Sequence, residues 1–255
     1  MKKMKKILWG AGLSLVLLII IAAIVVGLCL GGIVKSGINR YGPAITQTPL
    51  TVDSVSLSLL TGSATIKGLV VGNPPGYQTP QAISIGEISV GINPATVLSD
   101  KVVIRHLKVD SAAITFEGGF SGNNLTAIKN NVNGTAAKGG PVATNSAARP
   151  AASRKLEVDD LDITNAKVSG SLRLFAGKEI SISNLPIPEI HLTGLGTGPE
   201  GITATDLTQR VLSALTDAVL QALEKDAGNL TKGAGNLGKQ GLNGIKSGLG
   251  NLFGK

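Results

Sequence analysis

The chain has 255 residues, 43% hydrophobic but only 3% aromatic, with one cysteine and a net charge of +8, half of it from Lys2, Lys3, Lys5 and Lys6. A single cysteine excludes a disulfide framework within the chain. A mildly basic remainder with two Tyr and four Phe lacks the basic and aromatic face of single-strand nucleic-acid binders, so no nucleic-acid partner is expected.

Ile7 to Val34 is a run of 28 uncharged residues between Lys6 and Lys35. About 20 residues at 1.5 Å each cross a hydrocarbon core roughly 30 Å thick, so residues 1–35 are predicted as cytoplasmic lysines and a transmembrane anchor. The lysines ahead of the run place the rest of the chain on the far side of the membrane. A cleaved signal peptide would have a shorter apolar region, closed by small residues. A lipoprotein site at Cys29 would not favour the bulky Leu28. Gly27, Gly31 and Gly32 read as a glycine-rich helix end. Ser36 to Pro49 links anchor to domain, with a short helical turn before Pro43 and with Lys35, Arg40 and Tyr41 suited to a membrane–water interface.

From Leu50 to Glu117 apolar and polar residues alternate with a period of two, the mark of strands with one apolar face. Val55, Leu57 and Leu59 share one parity, as do Ile88, Val90 and Ile92, then Val103, Leu107 and Val109, then Ala112, Ile114 and Phe116. Gly62, Asn73 to Gly76, Asn93-Pro94 and Ser99-Asp100 punctuate the runs as turns. Residues 36–128 are therefore expected to form an antiparallel meander. The first three groups form the floor of one apolar trough, a candidate binding surface.

Residues 129–154 hold scarcely any large apolar residue and predict a flexible linker. Alternation returns over 155–200 and predicts further strands of the same sheet. Over 201–227 the period changes: Leu207, Val211, Ala214, Leu215, Ala218, Val219, Ala222 and Leu223 make the stripe of an amphipathic helix. Thr203 and Asp206 form its capping box and Gly228 its stop. The 228–255 tail repeats Gly-Asn-Leu. Lys225, Lys232, Lys239 and Lys246 recur every seven residues, the spacing of a basic face laid on a membrane surface. The many glycines oppose helix formation in water.

Signals for catalysis are weak, and no enzymatic activity, metal or cofactor is expected. His106 and His191 stand on strands without metal-ligand spacing. Asp159, Asp160 and Asp162 fit a polar strand face. Gly194 to Gly198 lacks the register of a phosphate-binding loop. Asn-x-Ser/Thr triplets begin at Asn124, Asn133 and Asn229 and matter only in a eukaryotic secreted chain.

A single membrane helix is followed here by a strand with Gly68-Leu69 and Asn73-Pro74-Pro75-Gly76. Then come a turn with Pro94 and Leu98-Ser99, a strand pair, and Gly122-Asn123-Asn124-Leu125. Over about residues 7–130 this order resembles the N-terminal part of AsmA-like bacterial envelope proteins. The resemblance implies a single-pass protein of the inner membrane with its bulk in the periplasm. It also implies a curved, gutter-like sheet, membrane lipid as partner and no catalytic residues to carry over. The fold expected is mostly β: a transmembrane helix, a curved antiparallel sheet and one C-terminal amphipathic helix. Two other readings stand beside a lipid-contacting envelope protein. One is an anchored scaffold with a closed core that binds an envelope protein. The other is a β-sandwich, since GLVVGNPPG also resembles late-embryogenesis-abundant domains.

Overall fold

The computed structural model describes residues 29–137, 154–173 and 179–233, and the side chains of α3 only to Lys225. Most of the predicted anchor lies outside the described residues. Among these no helix is long and apolar enough to cross a membrane.

In chain order the elements are α1 (29–46), β1 (Leu50–Thr51), β2 (Ser54–Ser58), β3 (Ser63–Gly72), β4 (Gln81–Ile92), β5 (Lys101–Asp110), β6 (Ala113–Gly118), α2 (Asn124–Ala137), β7 (Lys155–Thr164), β8 (Lys167–Arg173), β9 (Glu179–Pro186), β10 (Ile190–Leu195) and α3 (Ala204–Gly233). The ten strands form one sheet, ordered β10-β7-β5-β4-β6-β8-β9, with β3 on the other side of β4 and β1 and β2 on β3. The sheet curves into a half-barrel.

The sheet is mixed rather than antiparallel. β5 pairs with β7, and β6 with β8, in parallel. β5 and β6 occupy successive stretches of β4, at Ile88–Ile92 and Ile83–Ser84, so they act as one strand broken at Ser111. β7 and β8 copy that break at Asn165. Both residues have positive φ, 58° and 53°, a conformation that asparagine tolerates better than most. Ser111 N donates to Thr164 O at 3.0 Å. The Asp110 carboxylate accepts from Asn165 Nδ2 at 2.7 Å, Ser111 Oγ at 2.9 Å and Thr164 Oγ1 at 3.1 Å. These bonds, Asn165's first, hold its carboxyl below the usual range.

Parallel neighbours need a crossover of a dozen or more residues. Here it runs from β6 to β7 and includes α2, so the linker expected over 129–154 begins as helix. Leu125, Ile128 and Val132 are fully buried, at the i, i+3, i+7 spacing of a helix face. α3 starts at its predicted box: Asp206 N donates to Thr203 Oγ1 at 3.0 Å and Thr203 N to Asp206 Oδ2 at 3.1 Å. It continues through Gly228 to Gly233. Two helices after the first, not one, lie against each other and against the sheet, α2 on β6 and α3 on β10.

α1 runs through Pro43 to residue 46, longer than the single turn expected. A proline inside a helix costs about 3 kcal/mol, and docking on the sheet edge offsets this. The Asn39 side chain accepts from Val52 N at 2.8 Å and donates to Val52 O at 3.5 Å, in place of a neighbouring strand. Lys35 Nζ donates to Asp53 O at 2.6 Å. A Cβ at Gly31 would lie 2.4 Å from Val55 O, so only glycine lets the helix approach there. The β1–β2 edge, a template for unwanted pairing if left bare, is thereby covered.

Candidate functional site

The candidate trough is the inner face of this sheet, and pairing registers fix its rows. One row runs Val55, Ile66, Ile88, Val109, Ile163 and Ile190. A second runs Leu57, Ala64, Val90, Leu107, Leu161 and Leu192, and a third runs Ile92, Ile104, Val158 and Leu195. Val55, Leu57, Ile88, Val90, Ile92, Leu107 and Val109 therefore share this face.

Val103 and Leu59 do not belong with them. Ile92 pairs with Ile104 but Gly91 with His106, so Arg105 is an extra residue on β5 and the alternation slips by one. Such a bulge sends the following side chains to the opposite face. Ile104 packs against the core, while Val103 pairs with Glu157 on the outer side. Leu59 lies in the turn after β2. The slip continues on β7 between Val158 and Leu161, where Asp159 and Asp160 intervene, and on β10 between Leu192 and Leu195, beside Gly194 at φ 63°.

Burial along the inner face is uneven. The largest fully buried side chains, Phe116, Ile114, Leu125, Ile128, Leu161 and Leu172 among them, come from β6, β7, β8, α2 and α3 and, for Asn123, from the turn before α2, with none from β1 to β5. There the two helices seal the face. At the other end, Val55, Leu57, Ile66, Ile92, Ile104 and Leu107 are only half buried. They alternate along the rows with buried Ala64, Ile88, Val90 and Val109, so this part of the face is covered less tightly than the part beneath the helices and keeps partial access to solvent.

Two hollows lie elsewhere. On the outer face Arg105, His106, Lys108, Asp159, Asp160, Asp162 and His191 line an open hollow of about 620 Å³. His191 Nδ1 lies 2.6 Å from Asp162 Oδ1. The two histidines, distant in sequence, share one face because β5, β7 and β10 are neighbours. Arg105 and Lys108 among the aspartates make it a mixed-charge surface. Among the described residues no group of three or more His, Cys, Asp or Glu is placed to hold a metal.

The second hollow, about 540 Å³, lies where Pro43 of α1 and Gln47 just after it meet the Asn73-Pro74-Pro75 turn and Tyr77. Glu117 organises that turn. Its carboxylate accepts from Gln78 N at 2.5 Å, Thr79 N at 3.0 Å and Thr79 Oγ1 at 2.9 Å. Burial pushes this carboxyl upward, but those bonds and the Arg173 charge outweigh it and leave it below the usual glutamate range. Burial first, and then the Glu117 charge, raise the Tyr77 phenol. Asn73 Nδ2 donates to Thr79 O at 2.8 Å, and Asn124 Nδ2 to Asn73 Oδ1 at 2.8 Å. The turn is tied in this way to the first residue of α2. Only the turn residues themselves were legible from sequence.

Of the candidate membrane-surface lysines, Lys225 is exposed on α3. The side chains of Lys232, Lys239 and Lys246 lie outside the described residues.

The model of the AsmA family matches residues 1–171. The match reaches past the motifs that suggested it, through β7 and into β8. No curated protein and no solved structure matches the chain.

Proposed function

We propose a function from one premise: the chain belongs to the AsmA family, whose model matches residues 1–171 of its 255. Membership makes it an envelope-associated protein. On our reading it is held in the bacterial inner membrane by Ile7–Val34 as a single pass, with the sheet on the periplasmic side. It works without catalysis: it binds the acyl part of a lipid, or an apolar segment of another envelope component, on its inner face.

The supporting observation is the half-buried strip formed by Val55, Leu57, Ile66, Ile92, Ile104 and Leu107. The same rows are sealed where α2 and α3 lie on them, and are only partly covered at this strip. Burying that strip under an acyl chain would be favourable by about 25 cal/mol per Å² of apolar surface removed from water. The basic tail from Lys225 onward would lie on anionic headgroups.

The sandwich alternative needs two facing sheets, and the described strands form one. A scaffold binding a protein partner is the second outcome of the test. The full chain is purified in detergent, washed, extracted and examined by mass spectrometry for stoichiometric lipid. Retention of one lipid class, lost in Leu57→Asp, supports the reading. A lipid-free chain that captures an envelope protein through the same residues would replace it with the scaffold.

A further inference from the structure

We propose that one end of the sheet, carrying Leu60 and Leu98, is a bilayer-contact surface that seats the half-barrel on anionic lipid. Among the described residues the exposed large hydrophobic side chains are Ile33, Leu60 and Leu98, at 58%, 64% and 81%. A single exposed leucine needs no explanation. These two leucines, however, lie on touching turns. Ile92 N donates to Gly62 O at 2.7 Å, and a Cβ at Gly62 would lie 3.0 Å from Pro94 Cγ. Leu60 is in the β2–β3 turn, and Leu98 follows the short 3-10 turn Pro94–Thr96.

The direction of α1 shows which way this end faces. Gly42 lies against Leu50, Asn39 against Val52, Lys35 against Asp53 and Gly31 against Val55. Each step toward the start of α1 is therefore a step along β1 and into β2, toward the Leu60 turn. The residues just before α1 belong to the uncharged run that begins at Ile7. A chain anchored by that run, which is the proposed function on which this inference rests, brings the Leu60–Leu98 end to the bilayer and points the Asn73–Pro80 turn away.

One cationic side chain stands beside these turns. The Arg154 guanidinium donates to Val97 O, beside Leu98. The Lys155 backbone amide donates to the Asp100 carbonyl, which brings one basic and one acidic residue to the same rim. A guanidinium at this level can reach anionic headgroups, and exposed leucines beside it suit the interface. The half-buried Ile92 and Ile104 lie directly behind these turns. The partly covered strip would then open at the bilayer surface, where a lipid could enter it without crossing water.

The test uses the full chain with Cys29→Ser as background, reconstituted into vesicles of zwitterionic lipid and phosphatidylglycerol. Leu60→Cys, Leu98→Cys and Gln78→Cys carry an environment-sensitive fluorophore, Gln78 marking the opposite end. Positions 60 and 98 should show blue-shifted emission, quenching by headgroup-borne nitroxide and loss of quenching by aqueous iodide. Position 78 should show none of these. If the protein floats with the vesicles but iodide quenches all three alike, the contact surface is refuted and the anchor stands. Failure to float refutes both. Shielding of 60 and 98 from both quenchers would mean that a protein covers this end, which also overturns the proposal.

Discussion

At the scale of single residues, what was readable depended on how local the partners are. Thr203 and Asp206 are three positions apart, and their reciprocal bonds follow from the sequence alone. Glu117 binds Thr79, 38 residues away, and nothing in the run ITFEGG announces it. Its role has a pH signature. The carboxyl is held below its ordinary range by bonds made only in the folded chain. Its contribution to stability is therefore fully present above the pKa of the unfolded chain and is lost as pH falls through the depressed folded value. Glu117→Gln keeps the side chain's shape but loses the charge. It should cost on the order of 1 kcal/mol at neutral pH and flatten the fall in melting temperature on the acid side. Thermal melts of both forms across the acid range check this. Parallel pH curves would place the acid sensitivity elsewhere.

At the scale of elements, alternation reveals strands but neither their neighbours nor their phase. Parallel pairing of β5 with β7 joins segments separated by a crossover, and no local pattern encodes it. α2 is hidden in the sequence because Asn, Thr, Ala and Gly dominate Asn124–Ala137, although Leu125, Ile128 and Val132 carry the helical spacing. The bulge at Arg105 is equally hidden. A strict period of two puts Val103 on the inner face, whereas the register puts Ile104 there. The two residues are adjacent, both aliphatic and both half buried, so substitution separates the alternatives sharply. Ile104→Asp sets a charge beside fully buried Val158 and should destabilise by about 2 kcal/mol. Val103→Asp, on the Glu157 side, should cost about 1 kcal/mol or less. Urea midpoints of the two variants decide; the reverse order would restore the unbroken alternation.

At the scale of the whole molecule, one count of covering elements shapes the trough. Sequence supplied one amphipathic helix, about 10 Å wide, against a sheet several strands across at about 4.8 Å each. That disparity required curling, a partner or a ligand. α2 adds a second helix and the sheet curves, so much of the disparity is resolved within the chain. The remainder is the strip at β2 to β5. Three positions, one on β2 and two on β4 with β3 between them, separate a sealed core from an open trough. Val90 is buried at 7%, Leu57 is half buried on the same row, and Ser89 is exposed on the other face. Val90→Asp buries an unpaired charge and should abolish cooperative unfolding. Ser89→Asp should leave melting and bound lipid unchanged. Leu57→Asp is the informative variant. Its charge can reach water at the rim of the strip, so the fold should survive with a loss of about 1–2 kcal/mol. Any lipid held along the row should then be lost, because a carboxylate in its path must be desolvated to let an acyl chain lie there. Melting and lipid content are measured on the same preparations. If Leu57→Asp unfolds as Val90→Asp does, the strip is core rather than trough. If it folds and keeps its lipid, the ligand lies elsewhere on the molecule.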